Sequence, residues 1–329
     1  MRVSVLGAGG WGTAFARLLA NGGHDVVLWA RRTPQARAIA QQRENRDYLP
    51  GVSLPRERLA ITDNLAHALE GEVLALAVPS FAMAELLERF PSDAQDKAIL
   101  SLAKGMDPAA RITMCELIAR RTGSKKTFSL SGPSHAEEVG RDVPTAVVLA
   151  GEDLRLGESL QHALSTPRFR IYLSADRRGV ELCATVKNVI ALATGVSDGL
   201  GYGDNSRAAL ITRGLAEMVR FGRAFAVQEA TFFGLSGLGD LVATCTSQHS
   251  RNRRVGERLG RGESLDEILG GMTMVAEGLH ATRIVHELAS QQGVDMPITD
   301  AVLQLLEGAA RPLQLVEQIM TRAPKREDL

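Results

Sequence analysis

Short apolar runs recur along the first half of the chain, and stretches with helical spacing separate most of them. The runs lack alternating polar positions, which is typical of parallel strands buried on both faces of a sheet. This alternation of strands and helices predicts an open α/β sheet, mostly parallel and covered by helices. The predicted strands are Arg2–Leu6, Asp25–Trp29, Leu59–Ile61, Val73–Val78, Ala98–Leu102, Thr127–Leu130, Ala146–Ala150 and Arg170–Leu173.

Apolar residues at helical spacing predict a helix in most intervals between these strands. The stretch from Arg43 to Pro55 is instead polar and contains two prolines and a glycine. We predict a loop there, near enough to the second strand to help cover a bound ligand. The predicted helices are Trp11–Asn21, Pro34–Gln42, Asn64–Glu70, Phe81–Phe90, Pro108–Arg121, Ala136–Val139 and Leu154–Leu164.

The pattern changes after about Ala175, where helical periodicity continues almost without strands. Two domains are therefore predicted, residues 1–175 and an all-α domain of residues 176–329. The terminal stretch Thr321–Leu329 is expected to fray. The predicted helices are Gly179–Thr194, Ser206–Phe221, Ser250–Leu259, Leu265–Leu269, Glu277–Gln292 and Thr299–Leu306.

A glycine pattern joins the first predicted strand to the first predicted helix. Gly7, Gly9 and Gly12 have G-x-G-x-x-G spacing, and a second strand follows the helix. The first glycine permits a tight turn, the second admits a pyrophosphate, and the third lets the helix pack on the strand. The context favours a dinucleotide site over glycines that only shape a turn. We predict a Rossmann-type, doubly wound N-terminal domain that binds a dinucleotide, followed by an all-α substrate and catalytic domain.

The end of the second strand bears on the choice of cofactor. An NAD site usually has an acidic residue there, whereas an NADP site has an arginine near the 2′-phosphate. Arg31 and Arg32 occupy this stretch, and no acid is present. The arginines can make charge-assisted contacts with a phosphate, although two solvated loop arginines are the alternative. We predict that NADP(H) is the preferred cofactor and that NAD(H) is tolerated in its place.

Charge and cysteine content narrow the class of protein. Among 329 residues, 38 basic and 38 acidic residues give a formal net charge of zero, which disfavours a nucleic-acid or membrane-surface protein. The three cysteines, Cys115, Cys183 and Cys245, are far apart and suggest neither a disulfide framework nor a metal site. No signal-like segment or apolar run of about 18 residues occurs. We expect a soluble cytoplasmic protein without metal, nucleic-acid partner or membrane insertion.

One charged residue interrupts an apolar predicted helix. Helical spacing places Lys187 among Cys183, Ala184, Ile190 and Ala191. Burying an ammonium is unfavourable unless it is paired, and partial desolvation lowers a lysine pKa toward the range of a general acid or base. A lysine that reaches the helix edge and a purely structural ion pair are the alternatives.

An acid within a glycine-rich stretch is the natural partner of this lysine. Asp240 stands among glycines and leucines in Gly234-Leu-Ser-Gly-Leu-Gly-Asp-Leu. Pairing with Lys187 would satisfy its charge. An N-cap for the helix that follows is the alternative.

Two further groups could hold an anion. Lys104 follows one predicted strand, and Gly132 and Ser134 follow the next, at the strand ends where ligands of open α/β sheets bind. Ser250, Arg251 and Asn252 begin a predicted helix, where a guanidinium fork and an amide suit a phosphate. The alternatives are a solvated lysine in the first group and an exposed basic helix face in the second.

Taken together, these stretches resemble bacterial-type NAD(P)-dependent glycerol-3-phosphate dehydrogenase. The motifs that carry the resemblance stand in the family's order from about residue 2 to residue 280. They are Gly7-Ala-Gly-Gly-Trp-Gly-Thr-Ala, Ser101-Leu-Ala-Lys-Gly, Ser131-Gly-Pro-Ser-His-Ala-Glu-Glu, Val186-Lys-Asn-Val, Gly214-Leu-Ala-Glu-Met, Gly237-Leu-Gly-Asp-Leu, Ser250-Arg-Asn and Val275-Ala-Glu-Gly.

The resemblance implies reversible hydride transfer between NAD(P)H and dihydroxyacetone phosphate, giving sn-glycerol 3-phosphate for phospholipid synthesis. It makes Lys187 the catalytic lysine, with Asp240 beside it. A single sequence leaves the oligomeric state open, with a homodimer as the candidate assembly. The implied substrate contacts are Lys104, Gly132, Ser134, Lys187, Asp240, Ser250, Arg251 and Asn252. The implied cofactor contacts, besides Gly7, Gly9 and Gly12, are Gly10, Trp11, Arg31, Arg32, Tyr48, Lys104, Ala136, Arg251, Val275 and Glu277.

The chain departs from the family pattern at three of these positions. Gly10 stands where many members have Ser, which leaves only backbone contacts there. Ser134 replaces a Thr, and Arg31 stands where a His is frequent. Two other functions remain open at this point: a dehydrogenase for 3-hydroxy acids or ketopantoate, and a non-enzymatic NADPH-sensing regulator.

Overall fold

The computed structural model describes residues 1–272, 276–324 and 326 and divides into two compact units. Unit 1 comprises Met1–Asp107 and Ile112–Arg177, and unit 2 comprises Pro108–Arg111 and Arg178–Leu329. The main division thus falls two residues beyond the predicted boundary at 175. The inclusion of Pro108–Arg111 in unit 2 has no counterpart in the sequence pattern.

Unit 1 is built on an eight-stranded sheet and a separate two-stranded hairpin. The strands are β1 Arg2–Leu6, β2 Asp25–Trp29, β3 Glu44–Asn45, β4 Leu49–Ser53, β5 Leu59–Thr62, β6 Val73–Leu76, β7 Ala98–Ser101, β8 Thr127–Ser131, β9 Thr145–Gly151 and β10 Phe169–Ser174. The order in the sheet is β10-β9-β8-β7-β6-β1-β2-β5. All neighbours are parallel except β8 and β9. The predicted mostly parallel, doubly wound sheet is confirmed. Its strand order changes direction between β1 and β6, and dinucleotides bind at this switch point in such sheets.

Helices cover both faces of this sheet. They are α1 Gly10–Asn21, α2 Thr33–Gln42, α3 Leu65–Ala68, α4 Met83–Leu87, α5 Met114–Thr122, α6 Ala136–Val139 and α7 Leu154–Leu164, with 3₁₀ turns at Ser80–Ala82 and Ser92–Asp96. One core contains Phe15, Phe128 and Phe169, and a second contains Ile99 and Met114. Burial on both faces explains why the inner strands β1, β6, β7 and β8 lack alternating polar positions, whereas the edge strand β10 alternates buried and exposed residues.

The helix predicted for Pro108–Arg121 was wrong at its start. Thr113 caps α5 by accepting a hydrogen bond from the amide of Glu116, so the helix begins at Met114. Arg111 has a left-handed φ of 55°, and Met106 forms an antiparallel bridge with Thr113. Side-chain capping and this bridge override the helical periodicity of the first residues.

The predicted loop from Arg43 to Pro55 was also wrong, because it folds into an antiparallel hairpin. β3 pairs with β4 through Glu44 opposite Ser53 and Asn45 opposite Leu49. Gly51 has a φ of 76°, which residues with a side chain rarely adopt. The hairpin brings Asn45 and Tyr48 to the first helix, as described below.

Among the residues that the structure describes, unit 2 contains helices and no strand, which confirms the all-α prediction. The helices are α8 Arg177–Gly199, α9 Asp204–Ala224, α10 Ala230–Phe233, α11 Asp240–Thr246, α12 Arg251–Gly260, α13 Leu265–Gly270, α14 Gly278–Gln292, α15 Pro297–Leu306 and α16 Pro312–Met320, with a π-helical turn at Leu235–Gly239. The sequence pattern did not predict α10, α11 or α16. Two of these, α10 and α11, are at most two turns long and bear too few residues for a periodic pattern.

The long helix α8 lies in the core. It is the one helix in the described part of the chain with the length and apolar composition of a membrane span, and 94% of its apolar window is buried inside the protein. That degree of burial is typical of a core helix.

A buried carboxyl group joins α9 to the start of α15. Glu217 is 1% exposed, and its oxygens accept hydrogen bonds from the amides of Ile298 at 2.6 Å and Thr299 at 3.3 Å. These amides are orphan donors of a helix N-terminus, so the side chain caps α15. Burial raises the pKa of Glu217 to about 7, and the backbone hydrogen bonds oppose this rise.

The raised pKa of Glu217 predicts a stability that falls with pH. Protonated Glu217 favours the folded state fully below pH 4.5, and this contribution is lost as pH rises to about 7. Relative to Glu217→Gln, the wild-type free energy of unfolding should fall by about 3 kcal/mol across this window. Denaturant titrations from pH 4 to pH 8 measure the difference. Parallel pH profiles for the two proteins would contradict the prediction.

Candidate active site

The glycine loop between β1 and α1 has the geometry of a phosphate-binding turn. Gly7 has a φ of 121°, and a Cβ built on it would lie 2.7 Å from the carbonyl oxygen of Ala77. A Cβ on Gly12 would lie 2.0 Å from the carbonyl oxygen of Gly7. Both positions therefore exclude a side chain, as the turn and the packing of helix on strand require.

The start of α1 is open to an anion. Its N-cap, Gly9, provides no side-chain hydrogen bond, and apart from its chain neighbours no atom in the described part of the chain lies within 4 Å of a Cβ built on it. The first-turn amides of a 12-residue helix thus face a space that its own side chains do not fill. This cradle fits a dinucleotide pyrophosphate.

Two polar side chains brace the glycine loop, and the sequence pattern did not identify either. The carbonyl oxygen of Ala8 accepts hydrogen bonds from Gln35 Nε2 at 2.8 Å and from Asn45 Nδ2 at 3.0 Å. Asn45 Nδ2 also donates to Thr13 Oγ1 at 2.8 Å. The sequence showed only one Asn, Asn45, in a polar stretch. Its hydrogen-bond partners lie more than thirty residues earlier in the chain, so local patterns could not identify its role.

The structure brings three predicted cofactor residues together at the loop. A Cβ built on Gly10 would lie 2.9 Å from the carbonyl oxygen of Tyr48 and 3.5 Å from the Cβ of Ala136. In this geometry a serine at position 10 would require Tyr48 to move. The departure from the family pattern at Gly10 thus fits the close approach of the hairpin.

Trp11 packs into the aromatic core of unit 1. Its ring centroid lies 5.7 Å from that of Phe15 and 6.4 Å from that of Phe169. Its indole Nε1 is buried and has no hydrogen-bond partner among the described residues. Trp11 therefore anchors α1, and its predicted cofactor contact stays a prediction.

Arg31 and Arg32 follow Ala30 just beyond the end of β2 and are exposed. Arg31 Nη1 lies 3.6 Å from Glu85 Oε2 across an exposed pair, and Arg32 Nη2 donates to the Tyr48 hydroxyl at 3.0 Å. An exposed ion pair of this kind contributes little and is easily exchanged for a ligand. The end of β2 carries two accessible guanidinium groups and, on Ala30, no carboxylate.

Lys104, Gly132 and Ser134 meet at the carboxyl ends of β7 and β8. Lys104 Nζ donates to the carbonyl oxygen of Gly132 at 2.8 Å and to Ser134 Oγ at 3.3 Å. Ser134 Oγ donates to the same carbonyl at 2.9 Å. The lysine is half-buried and fixed by these contacts, so it is not the solvated loop residue of the alternative interpretation.

In unit 2, Lys187 and Asp240 form a buried ion pair. Lys187 Nζ lies 2.8 Å from Asp240 Oδ1, and both side chains are 3% exposed. The ammonium also donates to Thr244 Oγ1 at 2.7 Å. Thr244 was missed in the sequence, although it stands one helical turn after Asp240 and therefore on the same face of α11. The predicted pairing of Lys187 with Asp240 is confirmed, and the lysine does not reach the helix edge.

The glycine-rich stretch before Asp240 explains its position. The π-helical turn Leu235–Gly239 leads directly into α11, which Gly239 caps. A Cβ on Gly237 would lie 2.1 Å from the carbonyl oxygen of Phe232, so this turn needs glycine. Asp240 is the first residue of α11 and points to Lys187, which makes the N-cap alternative wrong.

A thiol lies next to this pair. Burial raises the pKa of Cys245 to about 12, although a hydrogen bond with Thr194 and the Lys187 charge act in the opposite direction. The thiol is therefore neutral, and it adds no charge to the site.

A chain of amides links α8 to the starts of α12 and α14. Asn252 Nδ2 donates to Asn188 Oδ1 at 2.8 Å, and the Gly278 amide donates to Asn252 Oδ1 at 3.0 Å. Ser250 Oγ caps α12 by accepting from the Arg253 amide at 3.2 Å. Asn188, beside Lys187, thus holds Asn252 in place.

The remaining predicted residues lie near these elements or outside the described chain. Arg251 is the exposed first residue of α12, and Glu277 caps α14 and is half-buried. Val275 lies outside the described residues. The structure thus brings together Lys187 with Asp240, and Ser250 with Asn252, in unit 2. The roles of all these residues in binding stay predictions.

The arrangement around Lys187 suits proton transfer. Two oxygens one turn apart on α11 hold the ammonium, so its position is fixed before any substrate arrives. A general acid or base needs such placement within hydrogen-bond reach of the reacting oxygen.

Comparisons with known proteins give one consistent result. Residues 2–156 match the family model for the N-terminus of NAD-dependent glycerol-3-phosphate dehydrogenase, and residues 176–317 match the model for its C-terminus. The chain is 45% identical to a glycerol-3-phosphate dehydrogenase [NAD(P)+] of Chlorobium luteolum and 46% identical to that of Chlorobium phaeobacteroides, over 99% of each chain. A crystal structure of glycerol-3-phosphate dehydrogenase from Coxiella burnetii matches with a TM-score of 0.92 at 39% identity, over 98% of this chain and 99% of that one. The chain belongs to the NAD-dependent glycerol-3-phosphate dehydrogenase family.

Breaking the buried ion pair should destabilise the fold. Asp240→Ala leaves the Lys187 ammonium buried without its carboxylate, which costs about 3 kcal/mol or more. The double variant Lys187→Met with Asp240→Ala removes both charges and should recover part of this loss. Denaturant unfolding measures each variant. A loss in the double variant equal to the sum of those of Asp240→Ala and Lys187→Met alone would show that the two groups do not interact.

Proposed function

We propose that this member of the family is an NAD(P)-dependent oxidoreductase acting on a CH–OH group, which interconverts dihydroxyacetone phosphate and sn-glycerol 3-phosphate. Full-length similarity to dehydrogenases named for this activity supports the substrate. The observation that carries the mechanism is the fixed ammonium of Lys187, held by Asp240 and Thr244.

Lys187 acts as the general acid in ketone reduction. NAD(P)H, when bound, supplies the hydride that C2 of the substrate receives. The Lys187 ammonium gives a proton to the C2 oxygen as negative charge develops there, which leaves a hydroxyl on the product and a neutral amine on the enzyme. In alcohol oxidation the neutral amine accepts that proton.

Asp240 and Thr244 orient the lysine, and their roles differ in charge. The carboxylate of Asp240 stabilises the ammonium form in a buried site, where a lone cation would be unfavourable. The Thr244 hydroxyl lies 3.3 Å from Asp240 Oδ1, so it bridges the two groups. Together they keep the amine in one position through the cycle.

The phosphate and the dinucleotide are assigned to different groups. Arg251 offers a guanidinium fork to phosphate oxygens, and Asn252, with Ser250 at the start of α12, adds polar groups beside it. Lys104, with Gly132 and Ser134, is assigned to substrate binding in unit 1. The dinucleotide is assigned to residues of unit 1 around the glycine loop, namely Gly7, Gly9, Gly10, Trp11, Gly12, Arg31, Arg32, Tyr48, Lys104 and Ala136, together with Arg251 and Glu277 of unit 2.

The other functions considered for the sequence have less support. A regulator without catalysis leaves the buried Lys187 and Asp240 pair without a purpose. Dehydrogenases for 3-hydroxy acids or ketopantoate act on carboxylates without a phosphate, so they leave the phosphate-binding role assigned to Arg251 unexplained. A role in phospholipid synthesis, a cytoplasmic location and a homodimer stay predictions.

The proposed activity is tested by loss of nicotinamide absorbance with NADPH, or NADH, and dihydroxyacetone phosphate. We expect oxidation with this ketone and none with ketopantoate or a 3-oxo acid. Lys187→Ala should lower kcat by about a hundredfold or more, the usual size of general acid catalysis. The exposed Lys125→Ala serves as the control and should behave as wild type. A Lys187→Ala enzyme within tenfold of wild-type turnover would contradict the role.

A preference for NADP(H) follows from the two arginines after β2. Replacing both Arg31 and Arg32 by Ala should raise KM for NADPH about tenfold, the equivalent of one charge-assisted hydrogen bond, and leave KM for NADH within about twofold. Arg37→Ala, an exposed arginine farther along α2, is the matched control. Equal changes for the two cofactors would show that the arginines do not read the 2′-phosphate.

A further inference from the structure

The backbones of α8 and α12 touch along a seam of glycines. A Cβ built on Gly195 would lie 2.0 Å from the carbonyl oxygen of Arg253, and one on Gly256 would lie 2.1 Å from that of Leu192. Such contacts leave no room for a side chain at either position. The same closeness holds at Gly199 against Glu257 and at Gly260 against Val196.

The seam ends at the amides beside the catalytic lysine. Asn188, Leu192, Gly195 and Gly199 stand three or four residues apart and so share one face of α8. At the first of these positions, Asn188 accepts the hydrogen bond from Asn252. Any shift of α12 along α8 would therefore change the distance between Lys187 and the residues assigned to the phosphate.

A partly buried ion pair crosses the same seam. Arg253 Nε donates to Asp198 Oδ2 at 2.7 Å, with side chains 16% and 7% exposed. The other carboxylate oxygen, Oδ1, accepts from Arg207 Nη2 of α9 at 2.8 Å. One carboxylate thus holds two helices, and only one of them, α12, carries residues assigned to the substrate.

We propose that Asp198 is a positioning residue, which acts through Arg253 to fix the start of α12 against α8 and thereby sets the spacing between Lys187 and the phosphate ligands Arg251 and Asn252. The proposal rests on the proposed function, because it assigns the phosphate to these ligands. Glycines bring the two backbones into contact without side chains at the points of contact, and the Asn188–Asn252 hydrogen bond restrains one end of this contact. The Asp198–Arg253 pair adds a charged restraint farther along it, since its atoms must stay within hydrogen-bond distance.

The two arginines on one carboxylate provide a matched pair of variants. Arg253→Met and Arg207→Met each remove one guanidinium from Asp198, but only the first releases α12. With saturating NADPH, Arg253→Met should raise KM for dihydroxyacetone phosphate about tenfold, which corresponds to loss of one hydrogen bond to a charged group. Arg207→Met should keep KM within about twofold. Its melting temperature should nevertheless fall by about as much as that of Arg253→Met. The dissociation constant for NADPH, measured by nicotinamide fluorescence, should not change in Arg207→Met.

Asp198→Asn distinguishes a positioning role from direct binding of the substrate by Arg253. An arginine freed from its carboxylate would bind the phosphate equally well or better, and KM would stay constant or fall. Loss of positioning raises KM instead, to about the value of Arg253→Met. Should Asp198→Asn fail to fold, Arg253→Lys replaces it: a restored ion pair gives a KM between those of wild type and Arg253→Met.

The failure of each hypothesis has its own signature. A wild-type protein inactive with dihydroxyacetone phosphate overturns the proposed function, and the positioning role with it. An active wild type overturns the positioning role alone if Arg253→Met leaves KM unchanged, if Arg207→Met raises KM equally, or if Asp198→Asn lowers KM.

Discussion

A charged amine inside a helical core is the constraint around which unit 2 is arranged. Lys187 lies in the middle of α8, where water is excluded, so its charge requires partners from another part of the chain. Asp240 in the first turn of α11 and Thr244 one turn later supply them. The π-helical turn before Asp240, with Gly237 against the backbone of Phe232, brings that first turn to the lysine. The need to satisfy one buried charge thus determines where α11 begins.

Both units build their sites by bringing backbone against backbone. In unit 1, Gly7 and Gly12 let the first turn of α1 fold closely onto β1 and leave its amides open. In unit 2, Gly195 and Gly256 let α12 lie on α8, with Asn188 and Asn252 joined at the end of the contact. Without side chains such contacts are close but poorly restrained along their length. Polar groups supply the restraint, such as Asn45 on the glycine loop.

The sequence predicted the architecture well because the inner strands of the sheet are buried on both faces, and continuous apolar runs mark them directly. It also predicted that Lys187 needs an acid and that Asp240 is that acid, since few charges stand in apolar surroundings. It failed at two places. The Thr113 cap starts α5 at Met114 rather than at Pro108, and the stretch around Asn45 forms a hairpin although its polar composition predicted a loop. The role of Asn45 depends on partners far along the chain, which local patterns do not reveal. The same holds for Thr244, whose partner Lys187 lies 57 residues earlier.

The buried thiol of Cys245, which lies beside Lys187, offers a way to probe unit 2. Because the pKa of Cys245 is about 12 and its side chain is fully buried, the folded protein presents no reactive thiolate to an alkylating reagent. Modification of this cysteine therefore requires local opening of α11, the helix that carries Asp240. The rate at which a thiol reagent labels Cys245 therefore measures how often the ion pair becomes exposed. A ligand that stabilises α11 would lower that rate without contacting the cysteine.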